Sequence, residues 1–264
     1  MKNKALRAST VRKALLLFFA LALLAVEIGY RALDLDGYTP QMIYFTATRF
    51  AGAAICVIFM LEFSFTTVMH PLGNKRGFAL LLTLPAFAVA INNFPFVSFF
   101  SDDCGLDASV GKVLLYALFC FSVGFFEEIA FRGCVFMYLL RKRRTSRKGI
   151  FMAIFWSSVV FGLIHLVNLA TSSPVAVLLQ IGYSSLIGAL CSLVLLATKN
   201  IWLCVLLHST YNFVGNVIPE LGFGVMWTVP QMIFTAIIAV IVTGYSIWLF
   251  FKLPLKRAEE IYEK

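Results

Sequence analysis

Eight predominantly apolar runs follow one another with little between them, at about 14–30, 41–62, 78–100, 112–140, 150–169, 174–197, 200–218 and 230–251. About 20 apolar residues cross the hydrocarbon core of a bilayer as a helix, and backbone at that depth has to satisfy its own hydrogen bonds. The chain is therefore predicted to be all-α, a polytopic membrane helix bundle of about eight transmembrane helices. Of its 264 residues 61% are hydrophobic and only 13% charged, about half the charge of a soluble domain. The fourth run is too long for a perpendicular span and is expected to tilt or project. Asn92-Asn93 followed by Pro95 marks a break in the third, where the amides can satisfy freed backbone groups.

Charge placement orients these spans. With the N-terminus inside and the spans alternating, only Arg31 and Lys112 fall in outside loops and Arg49 and Arg132 within spans, which leaves 18 of the 22 basic residues inside. The outside loops instead carry Asp34, Asp36, Asp102, Asp103, Asp107 and Glu220. This satisfies the positive-inside rule and predicts a multi-pass cell-membrane protein with both termini cytoplasmic. The short chain without a targeting extension suits a bacterial plasma membrane. The net charge of +9 then needs no nucleic acid: the basic run Arg141–Lys148 reads as a topology determinant in contact with anionic lipid. The first run is read as a retained signal anchor, since no small-residue cleavage site ends it. Five of the six cysteines lie within spans and none at C-x-x-C spacing, so neither a disulfide framework nor a cysteine metal site is implied.

Ionisable groups at membrane depth are costly, about 2.5–3.5 kcal/mol each on insertion scales, and therefore informative. Glu127, Glu128 and Arg132 stand within six positions of the fourth span. Glu128 and Arg132 are four apart, share a helix face and can pair. Glu127 is turned about 100° away and is left to act elsewhere, poised to take and return a proton. The fifth span ends in Phe161-x-x-x-His165-x-x-Asn168, and the seventh carries His208-x-x-x-Asn212, again on one face. At 1.5 Å per residue, Glu127 lies about 21 Å in from Arg141, His165 about 24 Å from Lys148, and His208 and Asn212 about 13 and 19 Å from Lys199. These depths are compatible with one shared layer. A carboxylate, two imidazoles and an amide converging there would suit water activation; a proton relay or interhelical polar contacts are the other readings. Glu27 and Arg49 are read as snorkelling or pairing between spans.

Glu127-Glu128-x-x-x-Arg132, Phe161-x-x-x-His165 and His208-x-x-x-Asn212, in this order on three apolar segments, resemble the CPBP intramembrane proteases, which comprise the CAAX prenyl endopeptidases and their Abi or bacteriocin-processing relatives. The resemblance covers residues 112–217 and implies a catalytic core of helices 4–7, preceded by helices 1–3 over 1–111 and followed by a last helix and cytoplasmic tail over 218–264. It implies hydrolysis of a peptide bond within the bilayer, in a membrane-associated peptide or protein that is prenylated or small. By analogy Glu127 activates water, His165 holds it, and His208 and Asn212 donate to the oxyanion. Glu128 and Arg132 are the structural pair and Asn168 a helix-contact amide. Glu127, His165 and His208 could instead supply a His₂Glu set for zinc or another divalent ion; the metal-independent scheme is preferred, and no other cofactor is called for. Membrane lipids and the peptide substrate are the expected partners. A non-proteolytic scaffold or bacteriocin-immunity protein of the same fold is the alternative. A proton-coupled transporter is disfavoured by the lack of two similar halves.

The topology is open to a direct check. Single cysteines introduced at positions 102 and 145 are expected to react with impermeant reagents from opposite sides of the membrane. Labelling of both from one side would sink the eight-span arrangement.

Overall fold

The computed structural model describes residues 35–70, 83–143 and 146–262, together with Leu33 and Leu81. Among them six helical stretches are long and apolar enough to cross a membrane. They are α1 (Tyr38–Glu62); a composite of α4 (Val110–Glu128), a π-helical stretch (Ile129–Phe136) and α5 (Met137–Lys142); α6 (Arg147–Leu163) with its 3₁₀ extension (Ile164–Ala170); α7 (Pro174–Thr198); α8 (Ile201–Leu221); and α9 (Val229–Lys252). The first expected span, with Glu27, lies outside the described residues, so the bundle is all-α and polytopic without a confirmed count of eight.

The third expected span is divided into α2 (Leu84–Asn92) and α3 (Phe96–Phe100). Pro95 has no N–H to continue a helix and disfavours the α conformation in the residue before it. The groups freed by this break are satisfied from α9. Gln231, fully buried, donates from Nε2 to the carbonyls of Asn92 at 3.4 Å and Phe94 at 3.2 Å, and its Oε1 accepts from Val97 N at 3.2 Å. Asn92 Nδ2 adds a bond to Thr235 Oγ1, and Asn93 Nδ2 reaches the carbonyl of Tyr211 on α8.

Packing centres on α8, which lies against α2, α4 and α7, while α6 pairs with α7 and α1 with α4. Helices embedded in lipid gain no hydrophobic drive from meeting, so small residues that let backbones approach take its place. Gly124 is one: a methyl group there would stand 2.4 Å from Ser209 Oγ and 3.0 Å from Ser209 N. By contrast α9 exposes Ile233, Ile237, Val240, Ile241 and Phe251, as a lipid-facing helix should.

The two ends of the bundle differ. At the end expected outside, β1 (Cys104–Leu106) pairs antiparallel with β2 (Gly222–Gly224), Gly105 facing Phe223. This ribbon departs from a purely helical expectation, and it ties the loop before α4 to the end of α8. At the end expected inside, Arg141 Nη1 donates to Phe63 O at 2.8 Å, and Arg147 donates to Phe250 O and Phe251 O at 2.6 and 2.9 Å. These two arginines of the basic run therefore serve helix ends, whose last carbonyls lack intrahelical partners. A short α10 (Lys256–Tyr262) docks beside them, with Thr67 Oγ1 bonded to Ile261 O. Lys199 pairs with Glu260 of α10 and holds that carboxyl below its usual range.

Gln231 leads to a stability test. Gln231→Leu leaves buried backbone groups unpaired, at about 1–3 kcal/mol for each, and is expected to lower the unfolding temperature in detergent by several degrees. Ile233→Leu on the lipid face should change it by less than one degree. Equal behaviour of the two variants would remove Gln231 from the account of how the broken helix is held.

Candidate active site

Glu127 and Glu128 are the last two residues of α4, and the π-helical stretch begins at the next residue. The fourth span was expected as one α-helix; the wider turn is a correction to that reading. Such turns are rare and concentrate where a helix carries function. The i, i+4 pair survives the change: Arg132 Nη1 lies 3.0 Å from Glu128 Oε1, and both side chains are within 1% of full burial. Room for the guanidinium comes from α7, because a methyl group at Gly188 would stand 2.9 Å from Arg132 Nη2.

His208 enters from α8 between the two carboxylates. Its Nδ1 lies 2.8 Å from Glu128 Oε1 and its Nε2 3.5 Å from Glu127 Oε2. Glu128 Oε1 is thus shared by Arg132 and His208, and Glu128 is more than the partner of Arg132. Nor is Glu127 aimed away from its neighbour's network, as helix spacing suggested: the imidazole spans the angle between them. Glu127 keeps 19% of its side-chain surface accessible, against none for Glu128. Of the two it is the carboxylate a reactant can meet.

His165 stands on the 3₁₀ turn that ends α6. Its Nδ1 is 3.1 Å from Phe161 O and 3.3 Å from Gly162 O, carbonyls of the preceding turn. A carbonyl only accepts, so this geometry assigns the proton to Nδ1 and leaves Nε2 as a lone pair. Asn168, one 3₁₀ turn on, donates from Nδ2 to Gln180 Oε1 on α7 at 2.8 Å. Asn212, one turn beyond His208, is half-buried, and its carbonyl accepts from Asn216.

Phe161 is the residue these groups share. Its ring lies 4.5 Å from the Arg132 guanidinium carbon and meets the His165 and His208 rings edge-on at 5.5 and 5.7 Å. Sequence reasoning held Phe161 only as the first letter of a motif; its spacing to His165 was the signal. Gln180 and Gln231 were missed altogether. An amide inside an apolar run was the available signal for both. Arg49, expected to snorkel or pair, has its guanidinium 5.8 Å from the centre of the Phe126 ring.

Among the described residues no three His, Cys, Asp or Glu side chains gather closely enough to hold a metal ion. Glu127 and His208 meet at 3.5 Å, and His165, whose Nδ1 bonds leave Nε2 open, is not gathered with them. The proposed donor set therefore does not fit a metal in this arrangement, and no step is routed through one.

The buried pair makes its own prediction. Removing one member strands the other charge, a loss of about 3–5 kcal/mol in buried pairs, whereas replacing both by apolar residues is often neutral. Glu128→Leu is expected to unfold well below the parent in detergent, and Glu128→Leu with Arg132→Met to recover most of the difference. Equal unfolding of the single and double variants would show that the charges are not coupled.

Residues 109–214, from the residue before α4 into α8, match the family model described as type II CAAX prenyl endopeptidase Rce1-like. No curated protein and no solved structure matches the chain.

Proposed function

We propose that this chain, which through residues 109–214 belongs to the Rce1-like type II CAAX prenyl endopeptidases among the CPBP intramembrane proteases, hydrolyses a peptide bond within the bilayer using water activated by Glu127. The observation that carries this reading is the unequal setting of the adjacent carboxylates. Glu128 is sealed between Arg132 and His208, while Glu127 is accessible and 3.5 Å from His208 Nε2.

In this scheme Glu127 takes a proton from water as the oxygen attacks the scissile carbonyl carbon. His165, with its lone pair on Nε2, accepts the water's second hydrogen and orients it. With Nδ1 donating to Glu128, His208 offers a second donor at Nε2 as the imidazolium, and in that form it and the Asn212 amide donate to the developing oxyanion. When the C–N bond breaks, the proton held by Glu127 passes to the departing nitrogen, so water is consumed and acid and amine are released. Glu128 fixes the rotation of His208 through Nδ1, and Arg132 balances its charge. The substrate is a membrane-associated peptide, for which a prenylated C-a-a-X peptide is the class the family name gives.

The test uses the full chain in proteoliposomes with a farnesylated C-a-a-X peptide. Glu127→Ala is expected to lower turnover about 10²–10⁴-fold, the range for a lost general base, and His208→Ala to be similarly impaired. A chelator is expected to leave turnover intact. Wild-type and Glu127→Ala proteins that cleave equally would overturn the assignment. Activity lost to chelator and restored by zinc would overturn the metal-independent scheme.

A further inference from the structure

The amides of Asn168 and Gln180 have no part in activating water, yet they border the site. His165 and Asn168 are three residues apart on the 3₁₀ turn Ile164–Ala170. Side chains at that spacing eclipse on a 3₁₀-helix, about 6 Å apart along its axis, so the two share a face. Across the gap, Gln180 lies one turn before Tyr183 on α7, and the Tyr183 ring meets that of Tyr211 on α8 at 6.2 Å. Tyr211 adjoins Asn212. A rim of Asn168, Gln180, Tyr183 and Tyr211 thus runs from His165 across α7 to α8.

This rim is only half satisfied within the protein. Each carboxamide has two N–H donors and one carbonyl acceptor. The single bond between them uses one donor of Asn168 and the oxygen of Gln180. Among the described residues, Asn168 Oδ1 and Gln180 Nε2 have no further protein partner, and both side chains are half-buried rather than sealed. They present an acceptor beside donors, the same complement as one residue on the edge of a β-strand.

A substrate must supply what that edge lacks. Extended backbone entering the bilayer gives up water on its N–H and C=O groups, each costly if left unpaired. Strand-like addition to a polar edge satisfies them whatever side chains the peptide carries. We infer that Asn168 and Gln180 form a backbone-binding subsite. In it Asn168 Oδ1 accepts a substrate N–H and Gln180 Nε2 donates to a substrate C=O, holding the chain extended beside His165. The inference rests on the reading of the protein as a peptidase, and it adds the conformation in which the substrate is held.

Binding and cleavage are measured apart. Full-length Glu127→Ala protein in nanodiscs is titrated with a fluorescent farnesylated C-a-a-X peptide, and with a series N-methylated at one amide each. Asn168→Leu or Gln180→Leu in this background is expected to weaken binding about tenfold, the scale of one or two lost hydrogen bonds. Asn168→Gln, which keeps both an acceptor and an N–H for Gln180, should restore most of it. One N-methyl peptide should lose the same factor against the parent and lose nothing more against Asn168→Leu. Unchanged affinity in both leucine variants, methylation penalties that persist in full in Asn168→Leu, or no binding at all would overturn the subsite. Cleavage by the protein with Glu127 intact is scored independently. Its absence would sink the peptidase reading, whereas cleavage with additive methylation effects would sink the subsite alone.

Discussion

A single carboxylate oxygen holds the site together. Glu128 Oε1 takes both Arg132 Nη1 and His208 Nδ1, and so joins the π-helical stretch to α8 at a depth where no water competes. Desolvating three ionisable groups is expensive, and their mutual attraction offsets this only with close geometry. That requirement propagates outward. Arg132 needs the space that Gly188 leaves on α7, and its guanidinium needs the face of Phe161 on α6. His208 can reach Glu128 because Gly124 lets α8 approach α4. Four helices are thereby positioned by the demands of one buried charge.

The consequence for chemistry is a division between adjacent, chemically identical residues. Glu128 is committed to structure, and its second oxygen is buried without a hydrogen-bond partner among the described residues. Glu127 touches the same imidazole from the other side yet stays accessible. His208 cannot swing without breaking its bond to Glu128, so whatever meets Glu127 meets it at a fixed orientation to the ring. Preorganisation of this kind is where fixed polar groups gain most for catalysis.

How much of this was legible beforehand depended on whether spacing alone determines geometry. The Glu128–Arg132 pair was readable because residues four apart are neighbours on any helical turn close to α. The break at Asn93-Phe94-Pro95 was readable because proline's missing N–H is a property of the residue itself. The π-helical stretch was not, since Ile-Ala-Phe-Arg-Gly-Cys-Val-Phe carries no residue that demands it. Insertion of His208 between two carboxylates joins residues 80 apart in sequence and required the fold. Gln231 and Gln180 escaped notice because a neutral amide disturbs an apolar run far less than a charge does. The ribbon of β1 and β2 is three residues on each side, too short for any alternation to register.

The wide turn between Ile129 and Phe136 has a consequence that concerns chain length rather than side chains. Each residue of an α-helix advances about 100° around its axis, and a turn closed over one more residue shifts the phase of everything after it. Downstream of the turn lie Met137, buried against the core, and Arg141, whose guanidinium meets the Phe63 carbonyl. A further insertion or deletion that this turn does not absorb would swing the whole inner end away from α1, while leaving Glu127, Glu128 and Arg132 in place. The spacing between Arg132 and Arg141 is thus under a constraint counted in single residues, independent of which residues fill it.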